Sequence, residues 1–398
     1  MCDGCTYAKM NIKKRSTMKL IIHDLSAEQW EKTAPEYEGW TVIADHGNIL
    51  PCCGCFGCWN KDPGRCVLKD GFENMGYLIH HAEEVTVISR YTYGGFSGFV
   101  KNVFDRSLGY VLPHFEIVGG ESHHQKRYDE TRAFTFIFYG HDLSEEEKLS
   151  ARRYVRAVTA NMRTRIKAVI FREVEEEPAA ARKQQEENGG RILLLNASMR
   201  WKDGNSAKLA AVLAEKLEQE CDTVPLVKYR QNMSELLPVM EEASAVVLCM
   251  PLYVDGLPSQ LIRFMELCER EYRGAPKRIY VLANMGLYES RQLVNLFEAV
   301  RQWCGAMGFA YCGGLGVSAG ELVGALLDVI RPGIWPTRPI VNGLCKLAGA
   351  IRTNSCTEDT YTGPDGFPRS LYIAIANSGW KRMAVKNGIR PQDLFRRL

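Results

Sequence analysis

The sequence predicts an α/β chain built as two consecutive doubly wound parallel sheets, each of five strands. Two observations carry this. Short apolar runs alternate with amphipathic stretches of helical spacing, and the alternation stops at a charged stretch, Glu173–Gly190, then starts again. The repeat lies in the order of elements, not in sequence identity.

A chain of 398 residues has room for two or three domains, each with a sizeable core. Its net charge of +3 and 46% hydrophobic content give no reason to expect nucleic acid or a membrane surface as partner. No apolar run reaches the ~20 residues a bilayer crossing needs. The first seventeen residues lack the apolar region of a signal peptide, so the fourteen cysteines read as reduced thiols or metal ligands in a cytoplasmic protein.

Met1–Thr17 is polar, carries Cys2 and Cys5, and reads as a flexible tail. The first domain, 18–172, has expected strands at Lys19–His23, Trp40–Ala44, Val85–Ser89, Ala133–Tyr139 and Ala168–Phe171. Helices follow Ser97 and span Ser144–Met162. Residues 173–190 hold little to bury and form a linker. The second domain, 191–398, repeats the plan with strands at Ile192–Leu195, Thr223–Val227, Ala245–Met250, Arg278–Ala283 and near Phe309–Gly313. Its helices are Ser206–Glu220, Pro258–Glu271 and Ser290–Met307. A basic extension from Arg331, with one helix expected at Ile340–Ile351, then a Gly/Pro-rich segment and Leu371–Trp380, wraps the second domain. The pairs His80-His81 and His123-His124 read as solvent-facing, since adjacent residues do not share a face of a helix or strand.

Three loops of the second domain carry the chemistry. The strand Ile192–Leu195 runs into a polar turn bearing Ser198, Arg200, Gly204, Asn205 and Ser206, then into a helix. Such a unit points free backbone N–H groups and the positive helix end at one spot, which suits a phosphate. The alternative for Asn205 or Ser206 is an ordinary helix cap, and for Arg200 and Lys202 exposed loop charge. In a doubly wound sheet the loops Pro251–Leu257 and Met285–Glu289 converge on the same place. They contribute Pro251, Leu252, Tyr253, Val254, Asp255, Gly256, Met285, Gly286 and Tyr288; the alternative for both tyrosines is half-buried packing.

The pattern Ser-x-Arg-x-x-x-Gly-Asn-Ser, with Pro-Leu-Tyr-Val-Asp-Gly-Leu-Pro and Asn-Met-Gly-Leu-Tyr downstream, resembles the NAD(P)H-dependent FMN reductase family of the flavodoxin-like superfamily. The resemblance implies a flavodoxin-like fold and FMN bound by those residues. It further implies NAD(P)H as co-substrate, with a quinone, flavin or similar small molecule as electron acceptor. The flavin carries the chemistry, and no side chain is singled out as catalytic.

In the first domain, Tyr91–Arg106 resembles the family's ring loop and following helix. The turn after its first strand, His23 to Gln29, has no glycine and two carboxylates, Asp24 and Glu28; like charge opposes a phosphate there, so its FMN site is degenerate. Because family members are typically homodimers, the resemblance implies that the two domains form an internal pseudo-dimer, with Tyr91–Gly98 walling the second domain's flavin pocket. A further homodimer is left open.

Cys52, Cys55, Cys58 and Cys66 give Cys-x2-Cys-x2-Cys-x7-Cys, a candidate set of ligands for an iron–sulfur cluster. The spacing resembles the iron–sulfur flavoproteins, which implies a [4Fe–4S] cluster beside FMN and a ferredoxin-like donor. The alternative is a loop of plain thiols over the flavin region. A third reading of the chain is a flavin-binding module without turnover.

Overall fold

The computed structural model describes residues 18–174 and 191–398. The expected tail, 1–17, and linker positions 175–190 lie outside the described residues.

Each half forms its own parallel sheet. In the first, β1 (Met18–His23), β2 (Thr41–Ala44), β3 (Ala82–Thr92), β7 (Ala133–Gly140) and β8 (Arg165–Glu173) stand in the order β2-β1-β3-β7-β8. Between β3 and β7 come a short strand, β4 (Gly95–Phe96), antiparallel to β3, and an antiparallel hairpin, β5 (Val111–Val118) and β6 (Glu121–Lys126). The helices are α1 (Ala27–Thr33), α2 (Gly57–Asn60), α3 (Met75–His81), α4 (Gly98–Asp105) and α5 (Glu145–Asn161).

The second sheet runs β10-β9-β11-β12-β13-β14, with β9 Arg191–Asn196, β10 Cys221–Pro225, β11 Ala243–Pro251, β12 Arg278–Asn284, β13 Ala310–Val317 and β14 Thr360–Thr362. Its helices are α6 (Asn205–Leu217), α7 (Leu236–Glu242), α8 (Ser259–Glu271), α9 (Val294–Met307), α10 (Gly320–Leu327), α11 (Arg338–Arg352) and α12 (Arg369–Lys386). Both sheets thus share the strand order 2-1-3-4-5 in their own numbering, which puts a switch point between the first and third strands. The second sheet exceeds the expected five strands because three residues of the extension, β14, pair with β13. That strand is too short for periodicity to reveal.

Leu193, Leu194, Leu195, Val246, Val247 and Leu248 are all buried, as strands covered by helices on both faces must be. The halves meet through equivalent elements, α4 on α8 and α5 on α9. A Cβ on Gly98 would lie 2.6 Å from the Arg263 side chain, so the α4–α8 crossing is close. Its seam is polar. Asp105 pairs with buried Lys101 and accepts the Ser259 N–H at 3.2 Å, while Asn102 Oδ1 accepts from Ser259 Oγ at 3.2 Å and from the Cys52 N–H at 3.1 Å. Such a buried pair holds orientation better than it adds stability.

The extension does more than wrap the second half. Helix α12 lies across both: Tyr372 joins the second half's core, and Trp380 and Ala384 join the first's. Beyond it Arg127 donates to the Leu394 and Arg396 carbonyls at 2.9 and 2.7 Å, and Arg397 pairs with Asp129. No helix among the described residues is long and apolar enough to cross a membrane.

Candidate functional site

At the carboxyl end of β9, the Asn196 side chain accepts the Ser198 N–H at 3.0 Å and turns the chain out of the sheet. Trp201 takes a left-handed φ of 45°, and the chain returns at Gly204, where a Cβ would lie 2.7 Å from Ser198 Oγ. Helix α6 then begins after Gly204, which offers no side-chain cap, and no other described residue supplies one. Its first amides stay available, with the positive helix end behind them. Ser206 Oγ donates instead to Asn284 Oδ1 at 2.6 Å, joining this corner to the loop after β12. Arg200 stands beside it, 3.3 Å from Glu321 and 5.5 Å above the Phe56 ring.

A cavity of about 330 Å³ opens from this corner, within the roughly 300–1,000 Å³ of small-molecule sites. Its second wall is the loop after β11. Tyr253 and Gly256 exchange backbone hydrogen bonds of 3.1 and 3.0 Å, with Val254 and Asp255 between them at left-handed φ values of 36° and 59°. Asp255 is buried; its Oδ1 accepts from Asn161 Nδ2 at 2.5 Å and its Oδ2 has no partner, so burial pushes its carboxyl up to about 7. The third wall is Asn284–Leu287, where Leu252 N–H donates to the Asn284 carbonyl at 2.7 Å and the Gly286 carbonyl accepts from the Tyr372 hydroxyl.

Twelve of the fourteen residues expected at the cofactor line this cavity: Ser198, Arg200, Gly204, Asn205, Ser206, Pro251 through Asp255, Met285 and Gly286. The other two stand behind its walls. Gly256 closes the Tyr253 turn, and Tyr288 points away, donating to the Phe367 carbonyl at 2.6 Å.

Of the remaining walls, the cysteine loop matches the alternative reading of its motif as a loop over the flavin region, whereas the hairpin and α12 were not expected. The first half supplies Cys52, Gly54, Phe56 and Trp59, and its hairpin supplies Phe115 and His124. Helix α12 adds Tyr372, Ile375, Ala376, Gly379, Trp380 and Met383, one face at helical spacing. Trp380 meets Phe56 and Trp59 edge-on, each at 5.2 Å. Tyr91–Gly98, the expected wall, lies instead at the helix interface: Tyr91 Oη donates to Gln302 Oε1 at 2.6 Å, and Arg90 pairs with Glu266. His123 and His124 are not a solvated pair either. The hairpin carrying them is enclosed between the halves, so His123 Nδ1 meets Asn161 Oδ1 at 2.6 Å and burial lowers His124 to about 4.

Among the described residues no three His, Cys, Asp or Glu side chains converge as a metal site. Cys66 Sγ accepts from Arg106 Nε at 3.1 Å, and exposed Cys55 accepts the Gly57 N–H at 3.3 Å. Cys52 and Cys58 are thiols raised by burial, Cys52 to about 12.

The first half's equivalent corner is built otherwise. Both oxygens of Asp24 lie 3.1 Å from the Arg90 N–H, tying the end of β1 to β3 across the switch point. Helix α1 opens with a capping box: Ser26 Oγ accepts the Gln29 N–H at 3.2 Å and Gln29 Oε1 the Ser26 N–H at 2.9 Å. Trp30 stacks on His23 at 4.0 Å.

Strand order and open corner together place the second half in the flavodoxin-like class of α/β units. Within that class, residues 191–321 match the family described as NADPH-dependent FMN reductase, a match confined to the half that holds the open corner. No curated protein matches the chain. Among solved structures, a Trp repressor binding protein from Bacillus subtilis is similar at 20% identity, over 39% of this chain and 97% of its own, with a TM-score of 0.30. An azoreductase from Bacillus anthracis str. Sterne is similar at 15% identity over 42% and 100%, with a TM-score of 0.31. An FMN-dependent NADH-azoreductase from Bacillus anthracis str. Ames Ancestor, in complex with FMN, is similar at 11% identity over 50% and 98%, with a TM-score of 0.24.

Proposed function

We propose that the chain is an FMN-dependent oxidoreductase that takes a hydride from NAD(P)H and passes two electrons to a small planar acceptor, a quinone or a second flavin. One observation carries this reading: the uncapped start of α6, with Ser198 and Gly204 drawn together beside it, opens into a cavity walled by the loops after β11 and β12. The match of 191–321 to the FMN reductase family supports it.

On this reading 191–398 is the flavin-binding domain and 18–172 a related domain that no longer binds flavin. Ser198, Asn205, Ser206 and the amides around them hold the FMN phosphate. Pro251–Asp255 and Met285–Gly286 run along the ring, with Gly256 and Tyr288 fixing the two loops from behind. FMN, when bound, supplies the hydride-accepting ring. Phe56, Trp59, Phe115 and Trp380 exclude water from the rest of the cavity and give an aromatic acceptor a surface to stack on. The twelve described cysteines are all free thiols, which suits a reducing compartment such as the cytoplasm.

Anaerobic stopped-flow mixing of FMN-loaded protein with NADPH or NADH tests the proposal. Bleaching of the flavin absorbance, followed by recovery on adding a quinone, is expected. Flavin that binds but is not bleached by either nucleotide would reduce the protein to a binding module.

A further inference from the structure

Away from the cavity, the extension returns to the second sheet and brings an exposed thiol onto a buried one. Cys312 lies within β13 and is buried, whereas Cys356, shortly before β14, is exposed. Their Sγ atoms are 2.7 Å apart, about 0.7 Å more than a disulfide bond. The backbone holds them there. Thr357 N–H donates to the Cys312 carbonyl at 3.1 Å. Gly313, at a left-handed φ of 81°, lets the two chains touch, since a Cβ on it would lie 2.0 Å from the Thr357 carbonyl oxygen. On the other flank the Tyr280 hydroxyl donates to the Ser355 carbonyl at 2.9 Å. Residues on both sides of Cys356 are thus fixed to the sheet, and neither thiol lines the cavity.

We propose that Cys356 and Cys312 form a redox clasp, a reversible disulfide that fastens the extension to the second sheet. Exchange with a low-molecular-weight disulfide, RSSR, closes it. Cys356 attacks first, as its thiolate, because it alone of the two is open to solvent. The Cys356–SR bond forms, the S–S bond of RSSR breaks, and RS⁻ leaves. Cys312 then attacks Cys356 Sγ. The Cys312–Cys356 bond forms, and the second RS group leaves as RSH with the Cys312 proton. The two cysteines lose two electrons and RSSR gains them, so no other oxidant is needed. Excess thiol reverses both steps. The closed clasp ties the two ends of the segment that holds α10 and α11, and α10 carries Glu321, Leu322 and Ala325 of the cavity wall. Closing that loop restrains the unfolded chain and so stabilises the fold.

Peptide mass mapping of the native full chain, exposed to glutathione disulfide and quenched in acid, tests this. Wild type is expected to yield a Cys312–Cys356 disulfide. Cys312→Ala should stop at one glutathione adduct on Cys356, and Cys356→Ala should slow oxidation of Cys312 at least tenfold. The same treatment should raise the melting temperature of wild type by about 5 °C or more relative to its effect on Cys356→Ala, a variant that removes only an exposed side chain. Wild type halting at the Cys356 adduct would overturn the proposal. So would Cys312 oxidising at the wild-type rate in Cys356→Ala, or a melting temperature that oxidation changes equally in the two proteins.

Discussion

After β1 the chain closes its own helix start with Ser26 and Gln29 and lays the Asp24 carboxylate across the switch point, whereas after β9 the helix starts bare. The topology around the two corners is the same. What separates them is which groups answer the free amides: the Ser26 and Gln29 side chains in the first half and, among the described residues, no side-chain cap in the second. A sheet order therefore supplies the place for a phosphate, and a handful of turn residues decide whether it is filled from within. The first half has meanwhile taken on another task, since its cysteine loop and hairpin cover the second half's cavity.

The largest effect is expected where the halves are bound together. Trp380→Ala empties the aromatic contact with Phe56 and Trp59 and should cost about 3–5 kcal/mol, measured by urea denaturation. A loss below about 1 kcal/mol would mean that α12 does not join the two cores.

Ser198→Asp brings into the open corner the kind of charge that Asp24 brings to the closed one. FMN affinity, read by fluorescence quenching, should fall at least about 100-fold, equivalent to about 2.8 kcal/mol, with little change in melting temperature. Affinity within about threefold of wild type would place the phosphate elsewhere. The converse change, Ser26→Ala, removes the capping box and should cost about 1 kcal/mol of stability while leaving flavin content as it was.

The smallest effect concerns pH. Burial raises the Asp24 carboxyl to about 6, above its unfolded value of 3.8. Protonation there favours the folded state, so the stability it contributes is complete below the unfolded value and is lost as pH rises through 6. Melting temperature should therefore fall less between pH 4 and 7 in Asp24→Asn than in wild type. An equal slope would show that this carboxylate is not enclosed in the corner.

The parts of this architecture that were legible from residues are those with local causes. The apolar runs of β9, β11 and β12 and the helical spacing of α6 and α8 follow from period alone, and twelve cavity residues follow from where a doubly wound sheet puts its loops. The walls contributed by His124 and Trp380 were not legible, because they reach the cavity through contacts between segments hundreds of residues apart, such as the Trp59–Trp380 ring pair. The spacing of Cys52, Cys55, Cys58 and Cys66 says that four thiols can meet, not that one of them also accepts from Arg106. Nor does the motif around Tyr91 reveal which side of the interface it faces.

The direct test of the difference between the corners is the FMN content of the purified full chain, saturated with FMN, desalted and denatured to release the flavin. The account predicts one FMN per chain in wild type and none in Ser198→Asp. Two per chain, or one that survives Ser198→Asp, would contradict it.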